Sequence, residues 1–211
     1  MIPQAGVRHR YNRGEAVADA AVHALAAATR SWAGADTLRA LALGVYAAGL
    51  VAMLGCSALY NLAPEGSPRT ALLRRCDRAA IFAMIAGTYT PFAGVALGGA
   101  AGGGLLAFVW AAAAAGAAHA LLGRQVRGER TAVLLYLMLG WCGVVLVVPV
   151  SAALSTEGLT LLAAGGVLYS VGTAFHLAAR LPYHNAAWHA FVLGAAACHF
   201  AAVLRDIAPA S

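Results

Sequence analysis

The chain alternates between long apolar runs and short polar connections, and six of the apolar runs are long enough to cross a lipid bilayer. A hydrocarbon core of about 30 Å requires about 20 apolar residues in a helix. The six predicted spans are residues 39–62, 79–98, 104–122, 132–150, 158–178 and 187–204. This pattern predicts an all-α integral membrane bundle, because helices satisfy their backbone hydrogen bonds internally within lipid.

Proline and glycine positions modify this prediction locally. Pro91 lies inside the second run, where a proline kinks a helix or ends it early. The stretch GGAAGGG at 98–104 carries no charge and is rich in glycine, which predicts a tight loop between two spans.

A seventh segment, residues 15–33, is a marginal candidate for a span because it contains Asp19, His23 and Arg30. A central Asp or Arg costs about 2.5–3.5 kcal/mol on membrane insertion. If the segment crosses from a cytoplasmic N-terminus, eleven arginines lie inside and three outside. If the segment does not cross, eight arginines lie inside and about six outside. Because arginines concentrate on the cytoplasmic side of membrane proteins, the larger asymmetry favours crossing. The sequence therefore predicts a seven-transmembrane-helix bundle with a short first helix and an external C-terminus.

This topology divides the chain into three parts. Residues 1–14 form a basic cytoplasmic tail, residues 15–205 form a single transmembrane domain, and residues 206–211 form a short C-terminal tail. The basic N-terminus lacks the short apolar stretch of a removable signal peptide, so none is predicted.

Composition supports a membrane protein and excludes some other classes. The chain is 62% hydrophobic and 10% charged, whereas soluble domains contain about 25% charged residues. All fourteen basic residues are arginines, and their positions between apolar runs explain the net charge of +6 as a topology signal. Nucleic acid is not expected as a partner, since no basic stretch interleaves with aromatic residues. The four cysteines show no metal-binding or disulfide spacing and are predicted to pack among apolar residues.

Unusual polar residues gather at the predicted cytoplasmic ends of three spans. They are Ser57, Asn61, Asp77, His184, Asn185 and His189. Polar and ionisable groups at membrane depth are costly and usually face a bundle interior or a wet cavity. A simpler alternative is that some of them cap helices, with Asp77 and Asn185 as candidate N-caps. The sequence also predicts that His119 and His199, further from this face, are core histidines with satisfied hydrogen bonds.

Three motifs resemble the hemolysin III family, which is the bacterial branch of the progestin and adipoQ receptors. They are GCSALYN at 55–61, RRCDRAAIFAMIAGTYTPF at 74–92 and YHNAAWHAFVLGAAACHF at 183–200. The segment GEAVADAAVHALA at 14–26 is similar to the opening of the family. The resemblance implies a multi-pass protein of the bacterial inner (plasma) membrane, related more loosely to seven-span membrane hydrolases.

The resemblance also implies a zinc site of three histidines, with a serine and an aspartate beside it. Ser57, Asp77 and His189 match the pattern, whereas Asn61 and Asn185 stand at two positions where zinc ligands are expected. Amide oxygens are weak ligands for zinc, so zinc binding is predicted to be weakened or lost. His184 could replace a ligand only from about 100° around the helix axis. The two carboxamides could instead hydrogen-bond to each other, to Ser57 and to Asp77.

Three functions remain open on this evidence. The ligand count favours a non-enzymatic sensor or regulator of membrane or lipid state, with a degenerate metal site. The alternative is a zinc-dependent hydrolase of a lipid amide or ester, in which Asp77 acts as general base and Ser57 steadies the oxyanion. A pore-forming or transport protein is the third, although no ring of charges supports it. The expected partners are the lipid bilayer and a lipid ligand; the sequence fixes neither the ligand nor the oligomeric state.

Overall fold

The described part of the chain consists of helices joined by short turns. The computed structural model describes residues 37–64, 68–123 and 129–208. Its helices are α1 Thr37–Leu62, α2 Thr70–Pro91, α3 Gly99–Leu122, α4 Glu129–Trp141, α5 Val147–Ala153, α6 Thr156–Leu177 and α7 His184–Asp206. A π-helical segment, Phe92–Leu97, extends α2, and a 3-10 segment, Cys142–Leu146, joins α4 to α5.

Six helical stretches of the described chain are long and apolar enough to cross a membrane. They coincide with the six predicted apolar runs, which confirms an all-α, multi-pass membrane bundle. The predicted short first helix, residues 15–33, and the N-terminal tail lie outside the described residues. The seventh span and the orientation of the termini therefore stay predictions.

Glycines allow two pairs of helices to pack at short range. In the α1–α2 pair, a Cβ atom on Gly49 would lie 3.3 Å from the Ala83 carbonyl oxygen, and one on Gly87 would lie 3.4 Å from the Val45 carbonyl oxygen. In the α6–α7 pair, a Cβ atom on Gly172 would lie 2.9 Å from the Cβ of Phe191. Small residues let the backbones approach closely, which is how membrane helices gain packing energy without a hydrophobic driving force.

The turn between α2 and α3 differs from the predicted glycine loop. Regular α-helix ends at Pro91 and a π-helical turn follows, as expected because proline offers no backbone N–H. The chain then reverses at Gly98 and Gly99, whose φ angles are 59° and 57°. The rest of the glycine stretch is helical, so the loop prediction for 98–104 was wrong. Gly102 is required there because a side chain would collide with the Ala93 carbonyl oxygen.

Three other sequence predictions are corrected by the helix boundaries. α2 begins at Thr70, two turns before Asp77, so Asp77 is not an N-cap. α7 begins at His184 after Tyr183, which has a φ of 60°, so Asn185 is not an N-cap either. His119 is exposed in the last turn of α3 rather than in the core.

The span that consists of α4 and α5, the fourth of the six described spans, contains a break that the sequence did not predict. Between α4 and α5 the backbone narrows to a 3-10 turn, and the phenol of Tyr89 on α2 lies against it. The Tyr89 hydroxyl donates to the Gly140 carbonyl oxygen at 2.7 Å and accepts from the Gly143 N–H at 2.9 Å. Backbone groups freed by a helix break must find hydrogen-bond partners inside lipid. The Tyr89 hydroxyl is the partner of both the Gly140 carbonyl and the Gly143 N–H.

Candidate functional site

Two asparagines from opposite ends of the described chain meet at one end of the bundle. Asn61 lies in the last turn of α1 and Asn185 in the first turn of α7. The Asn185 Nδ2 donates to the Asn61 Oδ1 at 3.3 Å. The Asn61 Nδ2 in turn donates to the Ser57 carbonyl oxygen at 2.8 Å and contacts the Ser57 hydroxyl at 3.4 Å. The carboxamides therefore form the mutual hydrogen bond predicted from sequence.

Ser57 links this pair to the carboxyl group of Asp77 on α2. Ser57 is one turn before Asn61, so both side chains lie on the same face of α1. The Ser57 side chain lies close to the carboxyl group of Asp77, and both residues line the cavity described below. A chain of polar contacts thus runs from α7 through α1 to α2. We call Ser57, Asn61, Asp77 and Asn185 the polar cluster.

The histidines of this region take different positions. His189 is half-buried one turn after Asn185 and lies within electrostatic range of His176 on α6. The His176 ring packs against Trp188, with ring centroids 5.1 Å apart. His184, the candidate substitute ligand, has its Nδ1 3.0 Å from the Leu181 carbonyl oxygen. That contact commits one ring nitrogen of His184 to the loop before α7.

A cavity of about 820 Å³ opens beside the polar cluster and extends along the bundle. All four cluster residues and His189 line it, together with apolar side chains of α1, α2, α6 and α7. Apolar walls with a few convergent polar groups are typical of a small-molecule site. The structure therefore brings five of the six predicted site residues to one cavity.

Catalytic zinc does not fit the donors of this site. Zinc requires three good nitrogen, sulfur or carboxylate donors and an open position. Two of the three positions expected to be histidine carry carboxamides, and these bond to each other across the site. Within the ranges the structure describes, no three His, Cys, Asp or Glu side chains are grouped to hold a metal ion. No chemical step through zinc follows from this arrangement.

Three tyrosines that the sequence pattern did not mark as functional also line the cavity. Tyr89, Tyr136 and Tyr169 line it from three different helices. The Tyr136 hydroxyl donates to the Arg78 carbonyl oxygen at 3.1 Å. Their signal in the sequence was weak, because a single tyrosine in an apolar run is common and its partners come from distant helices. His199, by contrast, is partly buried with Nε2 3.2 Å from the Leu162 carbonyl oxygen, which confirms the predicted satisfied histidine.

Comparison with known proteins gives relatives over most of the chain. It is 42% identical over 133 residues to a hemolysin-3 homolog of Bacillus subtilis, covering 63% of this chain and 62% of the relative. It is 41% identical over 133 residues to hemolysin-3 of Bacillus cereus, covering 63% and 60%. The human monocyte to macrophage differentiation factor is 28% identical over 166 residues, covering 76% and 68%. The chain thus spans somewhat under two thirds of the length of these bacterial relatives.

No solved structure matches the chain significantly. The family model described as haemolysin-III related matches residues 15–200, which is most of the sequence. This chain belongs to the haemolysin-III-related family of membrane proteins.

Proposed function

We propose that this protein is a non-enzymatic sensor or regulator that binds a lipid in the cavity beside the polar cluster. In this proposal it lies in the bacterial inner membrane with seven spans, a cytoplasmic N-terminus and an external C-terminus. The observation that carries the proposal is the hydrogen bond between Asn185 and Asn61. It joins α1 and α7 directly at the two positions where metal ligands would be expected.

The chemistry of the polar cluster favours an uncharged headgroup. Carboxamides both donate and accept hydrogen bonds, and hydroxyl groups do the same. The carboxyl group of Asp77 accepts hydrogen bonds when ionised and would repel an anionic headgroup. A lipid with hydroxyl or amide groups, such as a monoacylglycerol, satisfies these conditions. Its acyl chain would lie along the apolar walls of the cavity.

Sensing follows from where such a headgroup would bind. The cluster joins the end of α1 to the start of α7 through a side-chain hydrogen bond, and Ser57 on α1 lies beside Asp77, two turns inside α2. A headgroup that exchanges partners with these side chains would change how strongly the three helices are coupled. A ligand shifts a conformational equilibrium only by its different affinity for the two states. Lipid occupancy would therefore be read as a change in the packing of α7 against α1.

Metal content of the purified protein in detergent tests the non-enzymatic part of the proposal. We expect zinc well below one equivalent, with no further decrease in His189→Ala. The double variant Asn61→His/Asn185→His supplies two imidazoles beside His189 and should bind close to one equivalent. This variant is the positive control for the measurement. Near-stoichiometric zinc in the unmodified protein, lost in His189→Ala, would contradict the proposal and favour the zinc-dependent hydrolase.

Binding of 1-monooleoylglycerol to the protein in nanodiscs, followed by native mass spectrometry, tests the lipid site. We expect binding by the unmodified protein and a decrease in Asn61→Leu, which removes the central carboxamide of the cluster. Leu59→Ala is a matched control, because Leu59 lies on the same helix and is 60% exposed on its outer side. Equal binding by all three proteins would exclude the cluster as the headgroup site.

A further inference from the structure

We propose that Cys56 on α1 and Cys76 on α2 form a reversible disulfide bond next to the polar cluster. Their spacing along the chain shows no disulfide motif, and both thiols are free and partly exposed in the structure. Such a bond would be a modification site that does not depend on the proposed lipid binding.

Glycines bring the backbones of α1 and α2 within the range that a disulfide bond spans. A Cβ atom on Gly49 would lie 3.4 Å from the Cα of Met84, and one on Gly87 would lie 3.8 Å from the Cα of Gly49. The Cα atoms of each pair are therefore within roughly 5.5 Å of each other, since a carbon–carbon bond adds about 1.5 Å. Disulfide bonds usually join residues whose Cα atoms are about 4.4–6.8 Å apart.

The two cysteines lie on the helix faces that these glycines mark. Cys56 follows Gly49 by seven residues, and Cys76 precedes Gly87 by eleven. Seven and eleven residues are about two and three turns of an α-helix, so each cysteine lies within about 20° of its glycine around the helix axis. The Cβ positions of both glycines point at the backbone of the other helix. Cys56 and Cys76 therefore point into the same interface from opposite sides.

The cysteines are also at the same level along the two helices. The helices run antiparallel, and Gly49 lies beside Ala83 and Met84. Seven residues forward from Gly49 along α1 is Cys56, and seven residues back from Ala83 along α2 is Cys76. Because the rise per residue is the same in both helices, equal steps from one contact reach one level.

Packing between α1 and α2 continues from the glycines to this level. Met53 and Ala80, each about one turn from a cysteine, belong to one buried apolar cluster. Ser57 and Asp77, the residues that follow the two cysteines, lie close to each other. The two thiols are also electrostatic neighbours. The helices thus stay together on both sides of the proposed bond.

Hydrogen peroxide is an oxidant small enough to reach two partly exposed thiols at a helix interface. One thiolate attacks a peroxide oxygen and becomes a sulfenic acid, and the O–O bond breaks to release hydroxide, which takes up the thiol proton as water. The second thiol attacks this sulfur, the S–S bond forms, and the sulfenic oxygen leaves with the second thiol proton as water. The two thiols lose two electrons and two protons, which the peroxide gains. Glutathione restores both thiols by disulfide exchange.

The bond would act as a redox switch on the polar cluster. In the topology proposed above this end of the bundle faces the cytoplasm, where thiols are kept reduced. The bond would therefore form under oxidative conditions and would link α1 to α2 directly beside Ser57 and Asp77.

The test is oxidation of the purified protein in nanodiscs with hydrogen peroxide, followed by alkylation with N-ethylmaleimide, digestion and mass spectrometry. We expect a peptide that links Cys56 to Cys76, lighter by two hydrogen atoms than its two parts together, and its disappearance after treatment with dithiothreitol. Cys142 and Cys198 are internal controls, because they are also free and partly exposed but lie on other elements. Both should remain alkylated.

A matched variant moves one thiol around α1. Cys56→Ala/Ala58→Cys keeps four cysteines but turns the thiol by about 200° around the helix axis, so it should give no linked peptide. Full alkylation of Cys56 and Cys76 after oxidation would overturn the proposal, as would a sulfenic acid at either residue that dimedone traps without any link. A linked peptide in the shifted variant would also overturn it, because the bond would then not depend on the facing positions.

Discussion

Asn185 and Asn61 are hydrogen-bonded at 3.3 Å although they are separated by 124 positions in the chain. The bond joins the last turn of α1 to the first turn of α7, and Ser57 extends it towards Asp77 on α2. Neutral side chains and one carboxyl group therefore bring α1, α2 and α7 together here. Asn61 and Asn185 stand where the resemblance implies metal ligands, and their hydrogen bond joins α1 to α7.

A double-mutant cycle should measure this coupling. Asn61→Ala and Asn185→Ala should each lower the free energy of unfolding, and the double variant should lose less than their sum. We expect a coupling energy of about 0.5–1 kcal/mol, because the bond is neutral and both side chains are exposed to the cavity. Unfolding in detergent micelles provides the measurement. Leu59→Ala with Asn185→Ala is the control pair and should be additive.

Tyr89→Phe should destabilise the protein by about 1–3 kcal/mol, because two backbone groups at the break in the fourth span would lose their partner. The Gly140 carbonyl and the Gly143 N–H both bond to the Tyr89 hydroxyl. Chemical denaturation monitored by tryptophan fluorescence would report the change. Tyr183→Phe, at a side chain that is 85% exposed, should change stability by less than about 0.5 kcal/mol. Similar effects of both variants would contradict this role.

Ser155→Ala should cost about 1–2 kcal/mol of stability by removing the N-cap of α6. The Ser155 hydroxyl accepts from the Gly158 N–H at 3.0 Å and donates to Asp206 at the end of α7 at 2.7 Å. The same carboxylate accepts from the Ser155 N–H at 3.0 Å. Loss of the Ser155 hydroxyl should loosen α6 from α7 at the end opposite the polar cluster. A decrease in the thermal unfolding midpoint would show this effect.

Glu157→Gln provides the control for that prediction. Glu157 pairs with Arg205 at 3.1 Å, but both side chains are at least half exposed. Exposed ion pairs contribute about 0–1 kcal/mol, so this variant should be close to neutral. A larger effect for Glu157→Gln than for Ser155→Ala would show that charge, rather than capping, joins these helix ends.

Gly172→Ala should destabilise the α6–α7 pair by about 1–3 kcal/mol through overpacking. The added methyl would lie 2.9 Å from Phe191 and 3.1 Å from Trp188. Gly44→Ala on α1 meets open space and should be neutral, or stabilising by up to about 1 kcal/mol from helix propensity. The midpoint of thermal unfolding should fall for Gly172→Ala and should stay the same or rise for Gly44→Ala. A decrease of similar size in both would indicate that helix packing does not distinguish them.

Much of the candidate site could be predicted from sequence because its residues are polar in an apolar chain. Ser57, Asn61, Asp77, Asn185 and His189 stand out at the ends of hydrophobic runs, and membrane depth gives such residues few alternatives to the bundle interior. His184 was less predictable. Its ring direction depends on the loop before α7, where the Leu181 carbonyl oxygen engages it.

The sequence by itself determined that the chain is a membrane bundle and where six spans lie, because the cost of polar groups in lipid is set residue by residue. It did not determine where helices begin: α2 starts before Asp77, and α3 starts within the glycine stretch. Those starts depend on packing, since Gly102 fits against Ala93 only in the folded chain.

Only the tertiary structure decided which polar groups meet. The Asn61–Asn185 bond and the support of a broken helix by Tyr89 both join residues from different helices. A linear pattern records which residues are polar and how often they recur. Their partners are fixed by how the helices cross and rotate against each other, which is a property of the assembled bundle.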